Sequence, residues 1–233
     1  MIAIRINNYK SDFHQFYEGI FCRFSLLSSI WKSLSQISYD DYERSNAHIT
    51  NALNDIKSKD FHSAEQEIIT ALSIDSLNRS SYLSLNIACS ATGHFDLLLN
   101  SLLRAKQIFQ EDDEICYYLG NAYQRLGAVD SAIASYTLAI KYSKINGEDY
   151  PIVYAYYLNR GICFNIQAKY SFALADFNYA AKLNGNKSSI YANRGYTYLQ
   201  QNKREEACKD WQKANELGEK TVAQYIDKFC SEK

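Results

Sequence analysis

The sequence predicts an all-α protein: a solenoid of five consecutive helix–turn–helix units, with an extra N-terminal helix and a C-terminal capping helix. Three observations carry that expectation. A pattern of small and large residues recurs at a spacing of 34 positions, and a fixed period of that size is the mark of a repeat architecture. One proline and nine glycines among 233 residues leave too little punctuation for a many-turned β-fold. Hydrophobic residues at 47% and charged residues at 22% belong to a folded chain, not a disordered one.

Residues 1–44 do not repeat. Within them Tyr17, Ile20, Phe24, Leu27, Trp31 and Leu34 are spaced as the apolar seam of a helix that meets another helix. Four readings of this segment stay open. It is a cap on the first unit, a segment folded into the array's own groove, a seam for self-association through residues 17–34, or a membrane-surface or targeting helix. Its most apolar run, Phe24 to Trp31, is flanked by Arg23 and Lys32 and falls far short of the ~20 residues a membrane span needs. It also lacks the small-residue cleavage site of a secretory signal. A cytoplasmic location is the default expectation.

The units follow in order. Unit 45–78 carries Ala64, Ile68, Ala71 and Ile74 in its second helix; unit 79–112 carries Leu98, Leu102, Ala105 and Ile108. Unit 113–146 has Gly120 in its first helix, then Ala132, Tyr136, Ala139 and Tyr142. Residues 147–153, with the single proline Pro151, are an insertion. Unit 154–187 then gives Gly161, Ala173, Phe177, Ala180 and Leu183, and unit 188–221 gives Gly195, Ala207, Trp211, Ala214 and Leu217. Between the two helices of each unit stand the turns KDF, GHF, GAV, AKY and NKR. The glycines, and Ala52 in the first unit, let the second helix approach closely. Alanines seven apart share one stripe of a helix, and the large residue between them fills the neighbour's groove. Such a unit cannot bury its apolar face alone, so stability comes from stacking. Residues 222–233 supply the cap, with Val222, Tyr225, Ile226 and Phe229 on one face.

With Tyr157, Gly161, Phe164, Ala173, Phe177 and Ala180 in one unit, this repeat resembles the tetratricopeptide repeat family. Arg160 stands where that family has an aliphatic residue, and Gly185 where it has proline. The resemblance implies a right-handed superhelix with a concave face lined by the first helices. It maps onto that face Ile49, Leu53, Ile56, Leu83, Ile87, Tyr118, Gln124, Ile166 and Leu199, and, as the candidate ligand groove, Tyr117, Asn121, Arg125, Leu158, Asn159, Ile162, Asn193 and Tyr196. The groove is expected to be mostly apolar with a few amides. A row of asparagines at equivalent places, Asn159 and Asn193, is suited to an extended peptide, because an amide donates to and accepts from a backbone at once; alternatively these asparagines bond within or between first helices. Family members that hold a chaperone's terminal carboxylate use cations where Tyr117, Ser189 and Asn193 stand here, so no such tail is expected as a partner.

A formal net charge of −1 gives no basic footprint for nucleic acid. The six cysteines form no CxxC pair and no cluster with metal-ligand spacing. They are expected as buried free thiols in a reducing compartment, a Cys208–Cys230 bridge being the alternative. The chain has no phosphate loop, HExxH or GxSxG, and His14, His48, His62 and His94 are scattered without an evident acid partner. No enzyme activity, metal or cofactor is expected. The expected function is a scaffold that binds a peptide or helix of a partner protein in the groove. The alternative is a structural subunit that associates through the N-terminal helix or the convex face.

Overall fold

The computed structural model describes residues 37–230; the apolar seam at residues 17–34, together with Cys22 and His14, lies outside the described residues. Five helix pairs follow one another. They are α1 (Tyr39–Ser58) with α2 (Phe61–Ile74), α3 (Arg79–Thr92) with α4 (Phe95–Ile108), α5 (Asp113–Arg125) with α6 (Val129–Asn146), α7 (Val153–Ile166) with α8 (Tyr170–Leu183), and α9 (Ser188–Gln200) with α10 (Arg204–Glu216). A 3₁₀ turn, Lys220–Val222, leads into a last helix α11 (Ala223–Phe229). No strand occurs among the described residues. None of their helices is long and apolar enough to cross a membrane.

Local signals explain where the helices begin and turn. Helix α1 starts at Tyr39, upstream of residue 45, because Ser38 caps it: the Ser38 hydroxyl accepts from the Asp41 amide, and Asp40 and Asp41 face the positive end of the helix dipole. At α5, Asp112 does the same for the Ile115 amide. The turn inside each pair has one residue in the left-handed region, at the same repeat position every time: Lys59, Gly93, Gly127, Ala168 and Asn202. Only the last residue of the insertion, Val153, is helical. The segment follows α6, which runs to Asn146 and ends on Gly147 at φ +110°. Inside the insertion, Glu148 accepts hydrogen bonds from Tyr157 and Tyr179, pinning it to α7 and α8 of unit four.

Packing follows the repeat. The large central residue of each second helix, Ile68, Leu102, Tyr136, Phe177 and Trp211, is fully buried. Where it is aromatic, the facing first helix carries glycine: a Cβ on Gly120 would lie 2.5 Å from Tyr136, one on Gly161 2.7 Å from Phe177, and one on Gly195 2.7 Å from Trp211. Each helix packs on the next, and the first helices of consecutive units also touch: α1 on α3, α3 on α5, α5 on α7 and α7 on α9. The second helices of consecutive units are joined chiefly through them. The stack therefore curves with its first helices inside. At its C-terminal end Tyr225 stacks on Trp211 at 5.2 Å between ring centroids, and Phe229 lies 6.0 Å away, which is the expected capping face.

The cysteines depart from the expected state. Cys89, Cys116 and Cys163 are buried free thiols, but Cys208 and Cys230 form a disulfide. The stacking of α11 on Trp211 brings Cys230, one residue past Phe229, onto the side of α10 that carries Cys208.

Candidate functional site

A cleft of ≈ 700 Å³ opens on the inner side of the stack, across units two to four. Helix α5 contributes Tyr117, Asn121, Gln124 and Arg125, and α7 contributes Asn159 and Ile166; Asn86, Ser90 and Phe95 close the side toward unit two. Four of the eight sequence-expected groove residues thus meet here. The cleft is more polar than expected, since its floor is made of amides and a phenol.

The other four lie elsewhere. Leu158 is only 7% exposed and belongs to the core cluster of Tyr157, Phe177 and Ile190, against which Ile162 also packs; α7 buries that stripe instead of presenting it. The Asn193 amide donates to the Ser189 carbonyl of its own helix, so it does not extend a row from Asn159. Tyr196 is 44% exposed and sits beyond the cleft. Of the further inner-face positions, Ile49 is buried, while Leu53, Ile87 and Ile166 are exposed.

The amide network has a specific geometry. Asn159 Nδ2 donates to Asn121 Oδ1 at 2.9 Å, linking units three and four. The Tyr136 hydroxyl lies 2.8 Å from the same Oδ1 and 2.7 Å from Gln124 Oε1, so its single proton serves one or the other. Burial holds the Tyr136 phenol well above its usual range, and it stays a donor at any ordinary pH. The Tyr117 phenol lies against both amides: Asn159 Nδ2 is 3.4 Å from its hydroxyl, and the Asn121 side-chain amide donates toward it as well. Asn121 and Asn159 thus form one amide pair that lines the cleft across the junction of units three and four. Arg125 lies 5.9 Å from the Phe95 ring centroid and has no ion-pair partner among the described residues.

A second cluster of chemistry-bearing residues escapes a linear reading. His62 and Glu65 on α2 and His94 at the start of α4 bring one ligand atom each to within 4.8 Å of one another. Glu65 is buried; its Oε2 meets His94 Nδ1 at 2.8 Å, and the Thr92 hydroxyl donates to Oε1. Burial alone would raise the Glu65 carboxyl, but hydrogen bonds from Thr92, His94 and Cys89 outweigh it and hold it below its usual value. His48 likewise pairs with Glu67, at 2.6 Å. Two of the histidines read as unpartnered thus have carboxylate partners, 19 and 29 residues away in the chain. The signal was in the period: His94 is one 34-residue step beyond Asp60, so the turn of unit two lands beside that of unit one.

Residues 113–146 and 188–220 match the tetratricopeptide repeat family. No curated protein sequence matches the chain. Among solved structures, MamA superposes with a TM-score of 0.64 at 21% identity, covering 78% of this chain and 96% of MamA. PilW, described as a widely conserved type IV pilus biogenesis factor, gives 0.65 at 21% identity, covering 74% and 77%. YrrB, described as a TPR protein with an unusual peptide-binding site, gives 0.60 at 18% identity, covering 78% and 90%. At these identities the likeness is one of fold.

Proposed function

We propose that this chain, a tetratricopeptide-repeat protein, is a non-catalytic scaffold that holds a polypeptide segment of a partner against the inner face of its helix stack. The observation that carries the reading is the amide pair Asn121 and Asn159, joined across units three and four where both line the cleft. A side-chain amide can donate to and accept from a peptide group, and the bond from Asn159 to Asn121 holds both amides in place before any ligand arrives. Arg125, at the cleft's edge, favours a partner segment that carries a carboxylate. That YrrB, of the same fold, is described as having a peptide-binding site supports the same class of partner. Nucleic acid is a poor fit to a chain with a net charge of −1.

The test is a pair of photo-crosslinking side chains placed one at a time: at Ile166, 60% exposed in the cleft, and at Phe172, 63% exposed on the second-helix side. Adducts to a partner from Ile166, reduced by Asn121→Ala, support the groove reading. Adducts from Phe172 alone would replace it with the alternative, a structural subunit bound through its convex face. For location, the cytoplasm expected from the sequence would keep Cys208 and Cys230 reduced, whereas their disulfide favours an oxidising compartment. Alkylation of the protein taken directly from its cells, with and without prior reduction, decides between the two.

A further inference from the structure

We propose that His62, Glu65 and His94 form a binding site for a divalent transition-metal ion, with Zn²⁺ as the reference ion, at the edge of the stack between units one and two. The donor set is two imidazoles and one carboxylate, the chemistry such ions take in three-ligand sites that leave a fourth position open.

The geometry suits an ion of that size. Tetrahedral coordination with bonds of ~2.0–2.1 Å separates ligand atoms by about 3.3 Å. The cluster brackets that value: His94 Nδ1 and Glu65 Oε2 stand at 2.8 Å, and all three ligand atoms lie within 4.8 Å. The pair therefore opens by a few tenths of an ångström while the His62 ring swings inward. His62 is exposed and has room to do so, and its ring already lies 5.8 Å from that of His94.

Burial and charge favour the same conclusion. The Glu65 side chain is 3% exposed, and a carboxylate so far from water is paired with a cation or coordinates a metal. No lysine or arginine reaches it among the described residues; its partners there are Thr92, His94 and the Cys89 thiol. The Thr92 hydroxyl bonds Oε1 and leaves Oε2 as the ligand atom, the kind of outer-shell support that orients a ligating carboxylate. Glu67 also lines the shallow recess above the cluster, and although His48 occupies it, it adds to a field that attracts a cation. His62 and Glu65 come from one helix and His94 from the next unit. A bound ion would thus tie unit one to unit two, and its fourth position would face solvent, open to water or to a side chain of a bound protein.

The experiment uses the full-length chain, without thiol reductant, and Zn²⁺ itself as the probe. Wild type, His62→Ala, His94→Ala and His48→Gln are titrated by calorimetry, with Tm recorded with and without the ion. One equivalent of Zn²⁺ bound by wild type and by His48→Gln, with affinity lowered at least about tenfold by His62→Ala and a Tm rise in the wild type that His62→Ala abolishes, supports the site. His62 makes no hydrogen bond among the described residues, so His62→Ala separates loss of a ligand from loss of fold. Absence of saturable uptake, or equal affinity in wild type and His62→Ala, would overturn the proposal and leave Glu65 and His94 as an ion pair between units.

Discussion

In unit three, Leu119 and Ser135 occupy the places that Arg160 and Asp176 occupy in unit four. Leu119 is buried in the shared core, and the Ser135 hydroxyl turns back to the Ser131 carbonyl of its own helix. In unit four the same two places are bridged. Arg160 makes a bidentate ion pair with Asp176, at 2.7 and 2.8 Å, and extends a third bond to Thr137 of the preceding unit. Unit five repeats the arrangement with Arg194, Asp210 and Asn178, and hydrogen bonding to Asp210 raises the Arg194 pKa further. Unit two has the apolar version, Leu85 and Ser101. One backbone template thus accepts two chemistries at a half-buried junction, and the array changes from one to the other across the insertion. The ionic version brings something the apolar one lacks, a directional tie to the preceding unit.

The comparison breaks most sharply at Asp176. Asp176→Ala leaves the Arg160 guanidinium, whose side chain is 18% exposed, without its counter-charge. We expect a loss of about 3 kcal/mol in a guanidinium melt, the low end for a broken buried pair because Arg160 keeps some water. Gly161→Leu drives a side chain into the Phe177 ring and is expected to cost ~1–3 kcal/mol. Gly120→Leu, against Tyr136, is expected to behave alike, because this feature is common to units three and four; unequal costs would mean that the two cores yield differently. At the turn, unit three has Gly127 and unit four has Ala168, both at positive φ. Ala168→Gly should therefore raise stability by about 0.5–1 kcal/mol, where Gly127→Ala lowers it by a similar amount. The smallest net effect is expected from the exchange itself. Arg160→Leu with Asp176→Ser converts unit four to the form of unit three and should leave stability within about 1 kcal/mol of wild type, or slightly above it. A large loss from that double variant would show that the bond to Thr137 is what unit four depends on.

Much of this was legible in the sequence. The 34-residue step, lengthened to 41 by the insertion, places the central residues Ile68, Leu102, Tyr136, Phe177 and Trp211 in the core, because burial in a stacked helix pair is imposed by spacing. The glycines facing aromatic rings were readable for the same reason. Arg160 could be seen only as a departure; its meaning needs Asp176, sixteen residues on, and the equivalent pair in unit five was the clue. The groove was less legible. A list of inner-face positions gives the face but not the depth, so Leu158 was assigned to a surface that α7 buries. The bond between Asn159 and Asn121 depends on how two units sit side by side, which no single unit encodes. The histidine–carboxylate contacts fall in the same class, and so does the disulfide, whose second cysteine lies past the last repeat, where the period says nothing.

That disulfide also changes how the molecule bears a mechanical load. A pull on the C-terminus enters the fold at Cys208 through the sulfur bridge, because Cys230 cannot move away from α10 while the bond holds. The 22-residue separation between the two cysteines is then hidden from extension, about 75 Å of contour length at the span of an extended chain. Helix α11 and its stack on Trp211 carry none of the force. The first contacts to yield are those between α9 and α10, where Arg194 holds Asp210 and Trp211 lies against Gly195. On reduction the same pull would peel α11 away first, at far lower force, so the redox state of one bond sets which end of the last repeat resists tension.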